Sequence, residues 1–590
     1  MWLVLGAIAA AACSSSDSGS SPALRPGGGN FDGSAGSGNG AANPGSGNSA
    51  GATTLPPEKE EAQSYRAPVV SGRWVWTANP DTGKVAIVDA KNFSVRLADA
   101  GIAPTFLTAL PSDASTAKAL VMNVGSKDAT LLRASETGAV KTVGPIPLQE
   151  NANAWTVSKT GKFALAWTDS QGLMADPTEN FQDLSVVDLR STTPKATRLV
   201  VGLVPSRVFI DEAEKQAFVV AKSGISVIDL ADKSGPRVLR EEAVSDDPLH
   251  EDVSSRDVSV MPDGSYAFVR HEGSAVITLV ELATGKLSSL TLSGPVTDLD
   301  LVADAKSALA VVRGDATPPT PDDGMAGAGG DHGEEAPLAG AGGEAGDTAG
   351  GAAGDSSGGA PNPTNEAPAT PRSTLAILPI PGIFSDKTSF ASVSIEEQFG
   401  LVNIAPEGTA ALLYTNAVAN SHLTILDTAP GATFLNHRTV DVRGSVRDVY
   451  PSPDGAYAIV SFTAPRDSGG KSGFAAVPVT SATPVRVQTT DAPVFAVAQS
   501  AGKTPRAVVT VSDGTANFSA YVVRMPELVV DSVKLPSRPL PNATGLVPDA
   551  GVAYIAQAHP QGRITFINLE TGVPRTITGF EIAAKVVNGQ

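Results

Sequence analysis

The chain has 590 residues, of which 42% are hydrophobic, 18% charged and 5% aromatic, with 59 Gly and 44 Pro. Its net charge of −18 is concentrated: residues 315–371 carry 10 acids and no Lys or Arg, residues 14–62 carry 5 acids against 2 bases, and about −5 is left for the rest. No basic stripe is present, which argues against a nucleic-acid partner. The one cysteine, Cys13, excludes an intramolecular disulfide, a C-x-x-C zinc site, a C-x-x-C-H haem attachment and a Cys-held iron–sulfur cluster.

Residues 2–12 read WLVLGAIAAAA, an apolar run as long as a signal-peptide core and too short for the ~20 residues that span a bilayer. The run ends in Ala10-Ala11-Ala12-Cys13 and gives way at once to SSSDSGSS. Small residues before a cysteine, followed by a polar tail, resemble a bacterial lipobox. The resemblance implies a cleaved signal peptide (1–12) and a lipidated Cys13 bearing more than one acyl chain, as stable anchoring requires. Ser14 in place of Asp then implies the outer membrane. Residues 14–62 hold 11 glycines among Ser, Ala, Asn and Pro, so 13–63 are predicted to be a disordered tether to a folded body at 64–590.

The body is a repeat. Each unit reads as a strand, a tight turn, a strand, a gap, a strand ending Val-x-Asp, a turn and a fourth strand. The first turn appears as Lys159-Thr160-Gly161, Pro262-Asp263-Gly264, Pro406-Glu407-Gly408, Pro453-Asp454-Gly455 and Pro548-Asp549-Ala550-Gly551. There Pro presets φ, Asp bonds nearby backbone and Gly accepts positive φ. The third strand appears as VAIVD (85–89), LSVVD (184–188), ISVID (225–229), LTILD (423–427) and ITFIN (564–568). The turn to the fourth strand shows Glu136-Thr137-Gly138, Thr284-Gly285-Lys286 and Glu570-Thr571-Gly572.

First strands are predicted near Pro104, Asn153, Pro205, Arg256, Val296, Gly400, Val446, Ala492, Pro541 and Gly579, a period of about 46 once 315–371 is set aside. Four strands at that period predict an all-β fold, a β-propeller of four-stranded blades. About ten units are counted, with seven or eight blades, or two smaller rings, left open. Residues 315–371, with 14 glycines and almost no large apolar side chains, read as a disordered insert inside one blade.

Trp74–Leu97, WVWTANPDTGKVAIVDAKNFSVRL, resembles a repeat of the bacterial YVTN-type (WD40-like) propellers, on Asn79 and Val85-Ala86-Ile87-Val88-Asp89 in particular. A weaker likeness runs over 73–587. These residues supply three strands of a blade, and GFEIAAKVV (579–587) reads as the missing first strand, predicting a ring closed by the C-terminal strand. The repeated Asp after the third strand reads as a turn residue. Trp74, Trp76, Trp155 and Trp167 read as packing between blades.

Loops after second and fourth strands share one face of such a ring, and the tight turns share the other. Ser170–Gln182, Glu241–Ser255, 315–371 and Ala464–Gly473 all fall on the first face, where a ligand is expected. One of these loops, EEAVSDDPLHED (241–252), holds Asp246, Asp247, His250, Glu251 and Asp252, either a contact for a cation or basic partner or a solvated charge run. The six histidines form no H-x-x-x-H, and there is no P-loop and no D-x-[DN]-x-[DN]-G. No cofactor, metal site or catalytic set is predicted. The expectation is an envelope-anchored, non-catalytic binding module, held to the membrane by its lipid and taking a protein or small molecule on the long-loop face. Resemblance keeps open a secreted propeller hydrolase or lactonase, whose site would assemble from several blades around the channel.

Overall fold

The computed structural model describes residues 65–588 except 114–115, 171–180, 248–254, 314–372, 464–470 and the short gaps at 303, 430–431, 433, 435, 503, 516, 526 and 537–538. Forty strands form ten separate four-stranded antiparallel sheets, each built from four strands consecutive in the chain. These are blades 1 to 10, at 69–99, 104–147, 154–200, 207–242, 256–291, 296–395, 401–441, 445–490, 494–533 and 541–578. The expected all-β propeller is therefore present, with ten blades.

The middle two strands of a blade are mostly apolar because neighbouring sheets cover both of their faces. Trp74–Asn79 in blade 1 and Val552–Gln557 in blade 10 are buried at every position. Fourth strands such as Lys195–Val200 are mostly exposed or half-buried. The core lies between blades. Trp74, Trp76, Ile87, Ala119 and Val121 join blades 1 and 2, and Phe163, Trp167, Val186, Val219 and Ile228 join blades 3 and 4. A comparable cluster fills every later junction in turn. The last joins blade 10 to blade 1 through Val547, Tyr554, Phe566, Val75, Ala86 and Val88. The ten blades thus close one ring.

Polar contacts reinforce the junctions. Ser71 donates to the Leu110 carbonyl (2.9 Å), Trp155 to that of Phe106 (3.2 Å), Asn403 to that of Val449 (3.1 Å) and Gln499 to that of Tyr450 (2.8 Å). Where a third strand ends in Asp, in blades 1, 3, 4 and 7, that Asp caps its own turn, as expected. Asp89 accepts from the Lys91 amide, Asp188 from Arg190, Asp229 from Ala231 and Asp427 from Ala429, all at 2.9–3.0 Å. Gly264 shows why the first turn needs glycine: its φ is +71°, and a Cβ there would collide with the Phe218 ring of the preceding blade.

The expected closure by a C-terminal strand is incorrect. The first strand of blade 1 is Val69–Ser71, paired Val69↔Trp76, Val70↔Val75 and Ser71↔Trp74, so blade 1 has no vacancy. Residues expected as that strand form helix α2, Phe580–Asn588. The alternation of Ile582, Ala584 and Val586 concealed a helical period. Phe580 and Ala584, four apart, are buried, while Ile582 and Val586, also four apart, are 63% and 78% exposed. Glu581 in the first turn and Lys585 in the last complement the helix dipole. The C-terminus still fastens the ring: Phe580 meets Tyr65 edge-on at 5.1 Å, and Arg575 lies 4.3 Å over the Phe93 ring of blade 1.

Residues 315–371 lie outside the described residues, but their flanks are adjacent strands of blade 6. Ser307–Arg313 pairs with Ser373–Pro379 along its whole length, ending at Arg313↔Ser373. Lengthening a loop adds only about 0.6 kcal/mol per doubling. Replacing 316–370 by a short Gly-Ser turn should therefore shift the melting temperature by no more than a few degrees. Failure of that variant to fold would show that the insert packs on the blades.

Candidate functional site

First strands line the channel of the ring, and in blades 4, 5, 6 and 8 they carry ionisable groups. Arg207 Nη1 of blade 4 lies 2.9 Å from Asp257 Oδ1 of blade 5. Arg270, on the second strand of blade 5, reaches Asp257 Oδ2 at 3.3 Å and Asp298 Oδ1 of blade 6 at 3.8 Å. Asp298 Oδ2 accepts the Val402 amide of blade 7 at 2.8 Å, and Oδ1 the Leu299 amide at 2.9 Å. One ladder of alternating charge thus crosses three blades and ends on a backbone amide of a fourth.

Asp298 is fully buried. Burial disfavours its charged form and raises its pKa to about 6, against the opposing pull of the Val402 amide and Arg270. Tyr414 of blade 7 interacts electrostatically with Asp298 and Asp300 of blade 6 and with Asp448 and Tyr450 of blade 8. Burial chiefly, then the charges of Asp448 and Asp298, push the Tyr414 phenol well above its ordinary range. Burial, then Asp448, push Tyr450 up to about 12. At neutral pH both phenols are therefore neutral hydrogen-bonding groups. Arg447 Nε lies 3.4 Å from Asp448 Oδ2, so this carboxylate also has a counter-charge on the wall.

Sequence reading missed this sector. Its members come one or two at a time from five blades, and no spacing connects them. The available signal was Asp298-Leu299-Asp300 inside an otherwise apolar first strand, VTDLDL, where both acids are buried. Asp246 and Asp247 are exposed beyond the outer strand of blade 4, where the Asp247 amide donates to Ser245 Oγ at 3.1 Å. His250, Glu251 and Asp252 lie outside the described residues, as does Cys13. Trp74, Trp76 and Trp167 are packed between blades, as read from sequence.

Among the described residues no group of three or more His, Cys, Asp or Glu is placed to hold a metal, and no helix is long and apolar enough to cross a membrane. A surface hollow of about 470 Å³ lies away from the channel, between residues 483–486 of blade 8 and 527–530 of blade 9, on the tight-turn face. The channel sector can order polar groups of a ligand, since it presents carboxylates, guanidinium groups and phenols on a rigid wall.

No protein-family model matches the chain, and no curated protein matches it. Among solved structures it is similar to a eukaryotic initiation factor, at 12% identity and a TM-score of 0.46, over 80% of this chain and 96% of that one. It is also similar to the dihydro-heme d1 dehydrogenase NirN, at 10% identity and a TM-score of 0.38, over 78% of this chain and 75% of that one. A third is the Cps50 (Swd1) β-propeller domain of Myceliophteria thermophila, at 10% identity and a TM-score of 0.31, over 60% and 96% of the two chains. At these distances the matches assign neither activity nor ligand, and the propeller rests on the ten sheets themselves.

Proposed function

We propose that the protein is an envelope-tethered, non-catalytic β-propeller that holds a partner on the face carrying the loops after second and fourth strands. The asymmetry of the connections carries this reading. The three longest connections, 168–182, 243–255 and 314–372, leave from the ends of second or fourth strands, whereas the shorter 380–390, which holds Gly382–Ser385, and 428–436 leave from third strands. The Gly-containing turns at 159–161, 262–264, 406–408, 453–455 and 548–551 all lie on the opposite face. Variable loops on a rigid scaffold are the usual location of binding. The tethering half rests on the lipobox-like Ala10-Ala11-Ala12-Cys13. Radiolabelled palmitate should enter the wild type and not Cys13→Ser; equal labelling of the two would end the anchor reading. For the binding half, the full chain should retain a specific envelope component through washing, and a chain with 241–255 shortened should lose it.

A second reading, a propeller-class hydrolase or lactonase, draws on Asp298, whose pKa is raised to about 6 and whose charge reaches the Tyr414 phenol. Hydrolysis of a lactone or ester panel by the wild type, abolished in both Asp298→Asn and Asp448→Asn, would favour it over the first.

A further inference from the structure

An arginine recurs at one register of the ring. In five blades the fourth strand places it opposite the third residue from the end of the third strand: Arg96↔Ile87, Arg240↔Val227, Arg438↔Ile425, Arg486↔Ala476 and Arg575↔Phe566. Four of the five lean on the next blade. Arg240 donates to the Leu282 carbonyl of blade 5, and Arg438 to the Pro478 and Val479 carbonyls of blade 8. Arg96 lies against Gly138 of blade 2, and Arg575 lies 4.3 Å over the Phe93 ring of blade 1. Arg486 is the exception: among the described residues its guanidinium has no hydrogen-bond, ion-pair or ring partner. The space beside it differs too. At the junction of blades 10 and 1, Phe566 stands opposite Arg575 and packs against Phe93, with ring centroids 5.3 Å apart. At the junction of blades 8 and 9 those two places are taken by Ala476 and by Leu528, which holds positive φ in its turn as Phe93 does. A methyl and an isobutyl group thus replace two phenyl rings, and the hollow of about 470 Å³ lies at this junction. Val485, Leu528 and Val530 give it an apolar lining, with Arg486 on the blade 8 wall and Glu527 on the blade 9 wall. Glu527 is exposed and likewise has no partner among the described residues.

We propose that this hollow binds a zwitterionic aromatic amino acid. The ligand ring rests on Leu528 and Val530 beneath Arg486, as the protein's own Phe93 rests beneath Arg575 at the related junction. A guanidinium over an aromatic face is itself attractive. The ligand carboxylate takes the planar donor fork of Arg486, and the ammonium group takes Glu527. Each feature of the hollow selects one part of that ligand: an anion alone is opposed by Glu527, a cation alone by Arg486, and an apolar molecule uses neither charge. The volume lies within the range of about 300–1,000 Å³ usual for small-molecule pockets. The site opens on the tight-turn face, away from the partner surface proposed above, and does not depend on it.

Equilibrium dialysis of the full chain against radiolabelled L-phenylalanine tests this. Binding should saturate at one equivalent, with a Kd on the order of 1 mM or below, as suits a ligand of that size. Arg486→Ala and Glu527→Gln should each weaken it about tenfold, the usual loss with a charge-assisted hydrogen bond. Leu528→Trp, which fills the hollow with the protein's own ring, should abolish it. Arg575→Ala, at the same register of blade 10, should leave binding unchanged. Arg486 and Glu527 are exposed, so their variants should melt with the parent. As competitors, 3-phenylpropionate and phenethylamine each lack one charge and should be about tenfold weaker than L-phenylalanine; alanine, lacking the ring, should also compete poorly. Absence of saturable binding up to about 10 mM overturns the proposal. So does competition by 3-phenylpropionate equal to that by L-phenylalanine, binding that survives Leu528→Trp, or an equal loss in Arg575→Ala. Shortening 241–255 should leave L-phenylalanine binding intact, so failure of this site and failure of partner capture on the other face are read separately.

Discussion

Ending the chain at Thr578 is expected to lower the melting temperature and solubility of the protein sharply, while removing residues 14–60 leaves both near the parent values. The ring has no strand exchanged between its ends, because blades 1 and 10 each use four consecutive strands. Its closure therefore depends on side-chain packing, and α2 contributes Phe580 and Ala584 to that one cluster. Phe580 is 1% exposed and covers Tyr65. Phe580→Ala alone should cost about 3–5 kcal/mol, the usual range for a large-to-small change at a buried aromatic. The full truncation also uncovers blade 1 where α2 packs on its outer strand, and exposed apolar surface of that kind favours aggregation. The comparison is thermal unfolding of the two truncations side by side. A Thr578-truncated chain that melts with the parent would show that the 10-to-1 junction holds without the helix.

Asp298→Ala should be the most damaging single change on the channel wall, at about 3–5 kcal/mol, because it breaks a buried, paired group. It leaves the Val402 and Leu299 amides without their acceptor and removes one partner of Arg270. Asp298→Asn should be milder, since its carboxamide oxygen still accepts one of the two amides and Asp257 still holds Arg270. The two proteins should differ in their response to pH. The folded pKa of Asp298, about 6, lies above the ordinary value of 3.8. Between these values the folded chain keeps the proton and the unfolded chain releases it. The contribution of Asp298 to stability is therefore fully present below about pH 4, falls as pH rises to about 6, and is flat beyond. Asn carries no such titration. Urea midpoints of wild type and Asp298→Asn from pH 4 to 7 should diverge in favour of Asn as pH rises. Parallel profiles would mean that Asp298 is already charged throughout.

The repeat itself was legible from the chain. Third strands ending in Val-x-Asp and turns of the Pro-Asp-Gly type recur because each blade solves the same local problem, a buried hairpin with an Asp-capped return. First strands read near Pro104, Arg256, Val296 and Pro541 begin at those residues in the structure. Such features depend on contacts within a dozen residues, so sequence alone determined them. It also determined which face carries the three longest connections, since that follows from strand parity, but not the 380–390 connection with its short helix on the other face.

Closure was decided by tertiary structure. Phe580–Asn588 is short, and alternation and helical spacing coexist in FEIAAKVVN. Its state was settled by Val69–Ser71 occupying the inner position of blade 1 and by Tyr65 offering a ring for Phe580. The charged wall was decided the same way. Arg207, Asp257, Arg270 and Asp298 are strung over 92 residues and meet only because the ring places successive first strands side by side.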